Sequence, residues 1–238
     1  MNSDMNIEID NEINNETRHE RTKKLIGESA LNKLKNSKIA IFGIGGVGSY
    51  VCEALARAGV GEMTLIDGDV VELSNINRQL VALTSTLGKN KAVVMGDRIR
   101  DINPKIKVEI VDRFYKTGDE FDFKRYDYVV DAIDDIPSKV DIIRSCHYNG
   151  VKVISAMGTG NKLSCDNFKV SDLSKTHMDP LARVMRKKLK DEQIDDLKVV
   201  FSDEKPSIIS SPPGTISYVP GTEGLMIAGF VIRELAEI

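Results

Sequence analysis

The run Ile39-Ala40-Ile41-Phe42-Gly43-Ile44-Gly45-Gly46-Val47-Gly48-Ser49 decides the fold. A short apolar segment enters the glycine pattern G-x-G-x-x-G and leaves it as a helix. Val47, Val51, Ala54, Leu55 and Ala58 recur at i, i+4, i+7, i+8 and i+11 and so share one apolar face that can pack on a sheet. Gly43 is expected to make the tight turn out of the strand, Gly45 to let backbone N–H groups approach an anion, and Gly48 to let the helix lie close to the sheet. The helix N-terminus adds partial positive charge, and Gly59 ends the helix. The stretch reads as a phosphate cradle. It does not name the nucleotide, and glycines that merely close a strand-to-helix turn would look the same.

Outward from this loop, strand and helix alternate. Met63-Thr64-Leu65-Ile66 reads as a second strand ending in Asp67, 19 residues beyond Gly48, where an acid commonly grips ribose hydroxyls. Lys91 to Asn103 is helical by period (Ala92, Met95, Ile99, Ile102) and is stopped by Pro104; Lys107 to Val111 alternates as a strand. A nearly continuous apolar strand at Tyr126 to Ala132, a helix from Pro137 to Tyr148 and a strand at Val151 to Ala156 follow. The alternation predicts an α/β fold: a doubly wound, mainly parallel, Rossmann-like sheet with ligands at the carboxyl ends of its strands. Beyond Gly158 the rhythm changes to shorter strands at Asn167 to Val170 and Lys198 to Phe201, a charged helix at Leu181 to Lys190, a Pro-Gly loop at Ser210 to Gly214 and an apolar closing helix at Thr222 to Ala236. The expected organisation is a single domain over 18–238, with a nucleotide-binding core at 18–156 and a substrate-side extension and closing helix at 157–238.

At 238 residues and 41% apolar composition the chain can bury a substantial core. Residues 1–17 hold Asp4, Glu8, Asp10, Glu12 and Glu16 without one basic residue, a composition expected of a disordered tail. The sign of the charge changes at Arg18-His19-Glu20-Arg21-Thr22-Lys23-Lys24, ahead of a short helix expected over Glu28 to Leu34. A net charge of -3 leaves any nucleic-acid site to a local patch. No basic, apolar leader opens the sequence and the longest apolar run, Leu225 to Ile232, is far below a membrane span, so a cytoplasmic protein is expected. Cys52, Cys146 and Cys165 form no C-x-x-C pair, which disfavours a disulfide framework and a cysteine zinc site.

A dinucleotide-binding dehydrogenase shares the glycine loop and the acid after the second strand. The residues after Asp67 argue against it. They run Asp67-Gly68-Asp69-Val70-Val71-Glu72-Leu73-Ser74-Asn75-Ile76-Asn77-Arg78-Gln79, and Lys91 follows 13 residues after Arg78. A nicotinamide pocket has no use for this polar set, whereas a triphosphate being cleaved needs cations and amide donors where charge develops.

The pattern G-x-G-G-x-G-S, then L-x-D-x-D, then S-N-x-N-R-Q, a lysine, and Asp131-Ala132-Ile133-Asp134-Asp135 resembles the ThiF/MoeB superfamily of ubiquitin-activating-type adenylating enzymes. The resemblance implies ATP in the loop of Gly43, Gly45, Gly46 and Gly48, Asp67 on the ribose, and Asn75, Arg78 and Lys91 on the phosphates. It also implies Asp134 at Mg2+, and Arg21 reaching the site from the other subunit of a homodimer. Each residue alone has a plainer reading: Asn75 and Arg78 as helix caps, Lys91 as a solvated first-turn lysine, Asp134 as an N-cap before Pro137.

Many relatives pass an activated glycine tail to a cysteine, yet none of the three cysteines stands in a nucleophile setting. The later third, with Asp172 to Arg186, Val200 to Pro206 and Pro213 to Pro220, resembles the tRNA threonylcarbamoyladenosine dehydratase branch. That branch implies a tRNA substrate whose threonyl carboxylate is adenylated and closed into a ring by its own ureido group; a sulfur-relay protein is a candidate partner that the sequence does not identify. The alternative is an adenylyltransferase for the C-terminal Gly-Gly of a ubiquitin-like or sulfur-carrier protein. Arg183, Arg186, Lys187, Lys188 and Lys190 place five cations in eight residues as a candidate tRNA surface, with Asp191, Glu192, Asp195 and Asp196 following to compensate them on a solvated helix. His177 is a candidate proton shuttle or a surface residue.

Overall fold

Strands β1 (Lys38–Phe42), β2 (Glu62–Ile66), β3 (Lys107–Val111), β4 (Tyr128–Asp131), β5 (Lys152–Ala156), β6 (Phe168–Asp172) and β7 (Lys198–Ser202) form one sheet of order β3-β2-β1-β4-β5-β7-β6. All neighbours are parallel except β6, which pairs antiparallel with β7. This computed structural model describes residues 17–206 and 208–238; the tail read as disordered lies, up to residue 16, outside them.

Period-two alternation sends Ile39 and Ile41 to one face of the sheet and Ala40 and Phe42 to the other, and all four are fully buried. Helix α1 (Glu20–Asn36) packs on α2 (Gly48–Ala58) and α6 (Tyr218–Ala236), which together with α3 (Lys91–Ile102) cover the first face. The second is covered by α4 (Ile136–Asn149), α5 (Pro180–Lys190) and the aromatic group Tyr115, Phe121, Phe123 and Tyr126. Val51 and Leu55, on the predicted apolar face of α2, have no exposed surface, and burial of each contributes about 2 kcal/mol. No helix among the described residues is long and apolar enough to cross a membrane.

Two expectations change. The helix expected over Glu28 to Leu34 is the second half of α1, which already begins at Glu20; Gly27 breaks it at φ 84°, so the basic segment is itself helical. The closing helix starts at Tyr218 rather than Thr222. Pro220 lies in its first turn, where the missing N–H has no helical acceptor to lose.

Candidate active site

The chain from β1 to β3 builds the sheet in one direction and that from β4 onward in the other, so the carboxyl ends of β1 and β4 flank the crevice where ligands bind in such sheets. A cleft of about 1010 Å³ opens there. Its floor is the glycine loop. Gly43 has φ 87°, and a Cβ on it would stand 2.7 Å from the carbonyl oxygen of Ala132. A Cβ on Gly48 would stand 1.8 Å from the Gly43 oxygen, so the start of α2 packs on the turn with no room for a side chain. At Gly45 a Cβ would meet nothing nearer than Gln79 Nε2 at 3.8 Å and would project into the open cleft. The first two glycines thus serve the turn, and the third leaves the cradle empty for a ligand.

Asp67, at the end of β2, is 8% exposed; its Oδ2 accepts from Ile44 N at 2.6 Å and its Oδ1 from Asp69 N at 2.8 Å. Burial raises its pKa, opposed by those two amides and by the charge of Lys91. The carboxylate therefore ties β2 to the glycine loop and keeps free lone pairs for hydroxyl donors. Lys91, the first residue of α3, is 4% exposed and not the solvated lysine of the plainer reading. Its ammonium pairs with Asp69 at the cleft wall. Asn75 does act as a cap, its Oδ1 accepting from Glu72 N at 3.1 Å, yet it also lines the cleft. Arg78 donates from Nη1 to Ser74 O at 3.0 Å and Asn77 Oδ1 at 2.8 Å, which holds the guanidinium on the same wall. Asp134 follows β4 at the opposite wall; the helix cap there is Asp135, whose Oδ2 accepts from Ser138 N at 2.9 Å, leaving Asp134 open to the cleft.

The remaining wall comes from Phe114 to Thr117 after β3 and Thr159 and Gly160 after β5, which carry no sequence motif, and from Pro213 and Thr215 before α6, in the stretch that carries the resemblance of the later third. Gln79, 8% exposed, also lines the cleft, and its Oε1 has no hydrogen-bond partner among the described residues. The signal for Gln79 was its place beside Arg78 in the asparagine-rich run. Beneath Thr159, Lys162 is 4% exposed and spends all three donors, on Gly158 O at 2.6 Å, Asp179 Oδ2 at 2.8 Å and Ser202 O at 3.2 Å. Asp179 in turn caps α5 by accepting from Ala182 N at 3.0 Å.

Other predicted residues lie apart. Arg21 is exposed, two residues from His19, whose ring rests against Gly59 at the amino end of β2. It therefore stands at the edge of the sheet away from its own cleft. On α5, Arg183, Lys187, Lys188 and Lys190 are exposed, but Arg186 is turned inward onto Thr176 O at 2.9 Å. The helix starts at Asp179 beside the cleft and runs away from it, so Lys190 lies about 10 Å farther along than Arg183. Cys52 and Cys146 are buried, with burial raising both thiol pKa values, and Cys165 Sγ lies 3.0 Å from Thr222 Oγ1. His177 stands 3.6 Å from Asp203 and against Phe201, outside the cleft lining.

The ThiF family profile matches residues 18–236. A tRNA threonylcarbamoyladenosine dehydratase of Bacillus subtilis is 41% identical over 236 residues, spanning 90% of this chain and 93% of its own. The crystal structure of the E. coli tRNA N6-threonylcarbamoyladenosine dehydratase TcdA in complex with ATP superposes with a TM-score of 0.86 at 35% identity, over 92% of this chain and 94% of that one. An adenylyltransferase and sulfurtransferase MOCS3 of Dictyostelium discoideum is 34% identical over 60% of this chain but 34% of its own length.

Proposed function

This chain belongs to the ThiF family, and from that premise we propose that it is an ATP-dependent tRNA threonylcarbamoyladenosine dehydratase working in the cytoplasm. One observation carries the reading. The wall facing the glycine loop is made by Thr159, Gly160, Pro213 and Thr215, so the segment presenting the carboxylate to ATP belongs to the same later third that the match to the Bacillus subtilis enzyme includes.

In this reading the amides of Gly45 and Gly46 and the N-terminus of α2 hold the phosphates, and Asp67 holds the ribose. The substrate carboxylate oxygen attacks the α-phosphorus, and pyrophosphate leaves. Lys91 and Arg78 stabilise the charge it carries away, with Asn75 beside them. Asp134 would hold Mg2+, which when bound would offset the negative charge of the phosphates. One carboxylate suits that ion, because Mg2+ completes its shell with water and phosphate. The described residues contain no cluster of three or more His, Cys, Asp or Glu for an all-protein cage. A ureido group on the same substituent then attacks the acyl carbon, loses its proton, and AMP departs. Tethering supplies the effective molarity that this step needs. Two buried thiols and a third tied to Thr222 fit a route without a cysteine ester. Arg183, Lys187, Lys188 and Lys190 offer an edge for tRNA phosphates leading away from the cleft.

The deciding experiment measures pyrophosphate release from ATP with tRNA bearing threonylcarbamoyladenosine and, separately, with a protein ending in Gly-Gly. Release with the tRNA and a nucleoside lighter by one water are expected. Release with the protein alone would overturn the reading.

The same proposal includes a homodimer. Leu73, Ile76, Leu83 and Leu87 are exposed on the segment between β2 and α3, an apolar surface suited to a second copy. Arg21, remote from its own cleft, then serves the partner's. Mixing inactive Arg21→Ala with inactive Asp134→Asn is expected to restore about a quarter of wild-type activity, since half of randomly exchanged dimers are hybrids with one intact site. Exchanged mixtures that stay inactive would remove Arg21 from the site.

A further inference from the structure

Residues 210–214 are all exposed, so apolar packing does not fix this segment, yet its Pro213 and the adjoining Thr215 form part of the cleft wall. Hydrogen bonds hold it, and they converge on one residue. Asn161 Oδ1 accepts from Ser210 Oγ at 2.8 Å, Gly214 N at 2.9 Å and Ser210 N at 3.4 Å; its Nδ2 donates to Ser210 O at 3.3 Å, and its backbone N–H to Gly214 O at 2.8 Å. Asn161 has φ 60°, a conformation that asparagine tolerates better than other side chains do. Next to it, Gly160 lies so close that a Cβ would stand 2.6 Å from Pro213 Cβ. At the far end, Asn77 Nδ2 donates to Thr215 O at 3.2 Å, which anchors the segment to the wall that carries Arg78. A strap thus runs from one side of the cleft to the other.

We propose that Asn161 is a positioning residue that holds this strap over the acyl-adenylate, so that the tethered ureido group rather than water takes the acyl carbon. The inference rests on the dehydratase reading. Both fates of the intermediate release AMP. Attack by the ureido nitrogen or oxygen forms the ring and gives up the ureido proton. Attack by water restores the free carboxylate and gives up a water proton, which spends the ATP without product. An acyl phosphate mixed anhydride is open to water wherever the wall parts, so exclusion of solvent decides the partition.

The test compares initial rates of AMP formation and of dehydrated nucleoside formation with ATP and tRNA bearing threonylcarbamoyladenosine. Wild type is expected to form close to one AMP for each ring. Asn161→Ala is expected to raise the AMP formed in excess of ring, taken relative to ring, about fivefold, the factor a net hydrogen bond is worth, while pyrophosphate release stays near the wild-type rate. Asn161→Asp, which keeps the acceptor for Ser210 and Gly214, should return the ratio of AMP to ring to near one. Ser210→Ala, which leaves the backbone at Asn161 untouched, should shift it part of the way. An unchanged ratio in Asn161→Ala, or AMP and ring formation falling together, would overturn the positioning role. A wild-type enzyme that makes no dehydrated nucleoside would instead sink the dehydratase reading, and this inference with it.

Discussion

Lys91→Ala is expected to slow pyrophosphate release by about 10²–10³-fold, the cost typical of losing one donor aimed at transition-state charge. The position makes the effect chemical more than structural. Lys91 is nearly buried, but its partner Asp69 has a side chain that is 44% exposed, so removing the ammonium leaves a carboxylate that water can still reach. That costs the fold far less than stranding a buried charge would. Arg78→Ala should act in the same sense, because among the described residues its guanidinium hydrogen-bonds only to Ser74 and Asn77 of its own segment and ties down no distant part of the structure. Single-turnover pyrophosphate release, with melting temperature as the control for folding, reads both variants. Near-normal release by either would mean that the phosphates lie elsewhere in the cleft.

Glu223→Gln is expected to stabilise the protein at alkaline pH. Glu223 has no exposed surface; its Oε1 accepts from Met157 N at 2.9 Å, and its Oε2 has no hydrogen-bond partner among the described residues. Burial pushes its pKa up to about 8, with the Met157 amide, Lys162 and Lys139 opposing and Asp179 adding to the rise. Between the ordinary value of 4.5 and about 8, the folded chain holds a proton that the unfolded chain has released. Stability therefore falls as pH rises through this window and levels off above it. The glutamine variant has no such proton to hold. Its unfolding free energy should pull ahead of wild type from pH 5 to pH 8, by an amount on the order of 4 kcal/mol at the top. Denaturant titrations across that range give the difference directly, and parallel curves for the two proteins would show that Glu223 is ionised in the fold.

The sheet and its helices were legible because their signals are local. Alternation in Lys107–Val111, the 3.6-residue period of Lys91–Ile102 and the glycines around α2 each report a neighbourhood of a few residues. The same holds for the half of the cleft that comes from Gly43 to Lys91. The other half was not legible, since Phe114 to Thr117, Thr159 and Thr215 are brought in by chain reversals whose geometry no short window encodes. Lys162 illustrates the limit. Nothing in the sequence around it marks it out, and only the meeting of β5, β7 and α5 reveals it as buried and fully bonded. The helix of Arg183 to Lys190 was read correctly as basic, but sequence gave no bearing, so that neither its direction away from the cleft nor the inward turn of Arg186 could be foreseen.

The pair Lys162 and Asp179 limits how this chain can be recombined with its relatives. The ammonium bonds to the carbonyl of Gly158 just past β5 and to that of Ser202 at the end of β7, while the carboxylate sets the first turn of α5. A crossover placed between residues 162 and 179 therefore separates the partners, whereas one at residue 156 carries both across together with β7, the strand that continues the sheet beside β5. Importing one without the other leaves a buried charge unmatched, at a cost of about 3–5 kcal/mol, a large share of the stability of most domains. The segment from Lys162 to the first turn of α5 is exchanged as a block, and a crossover point placed inside it cuts through the joint.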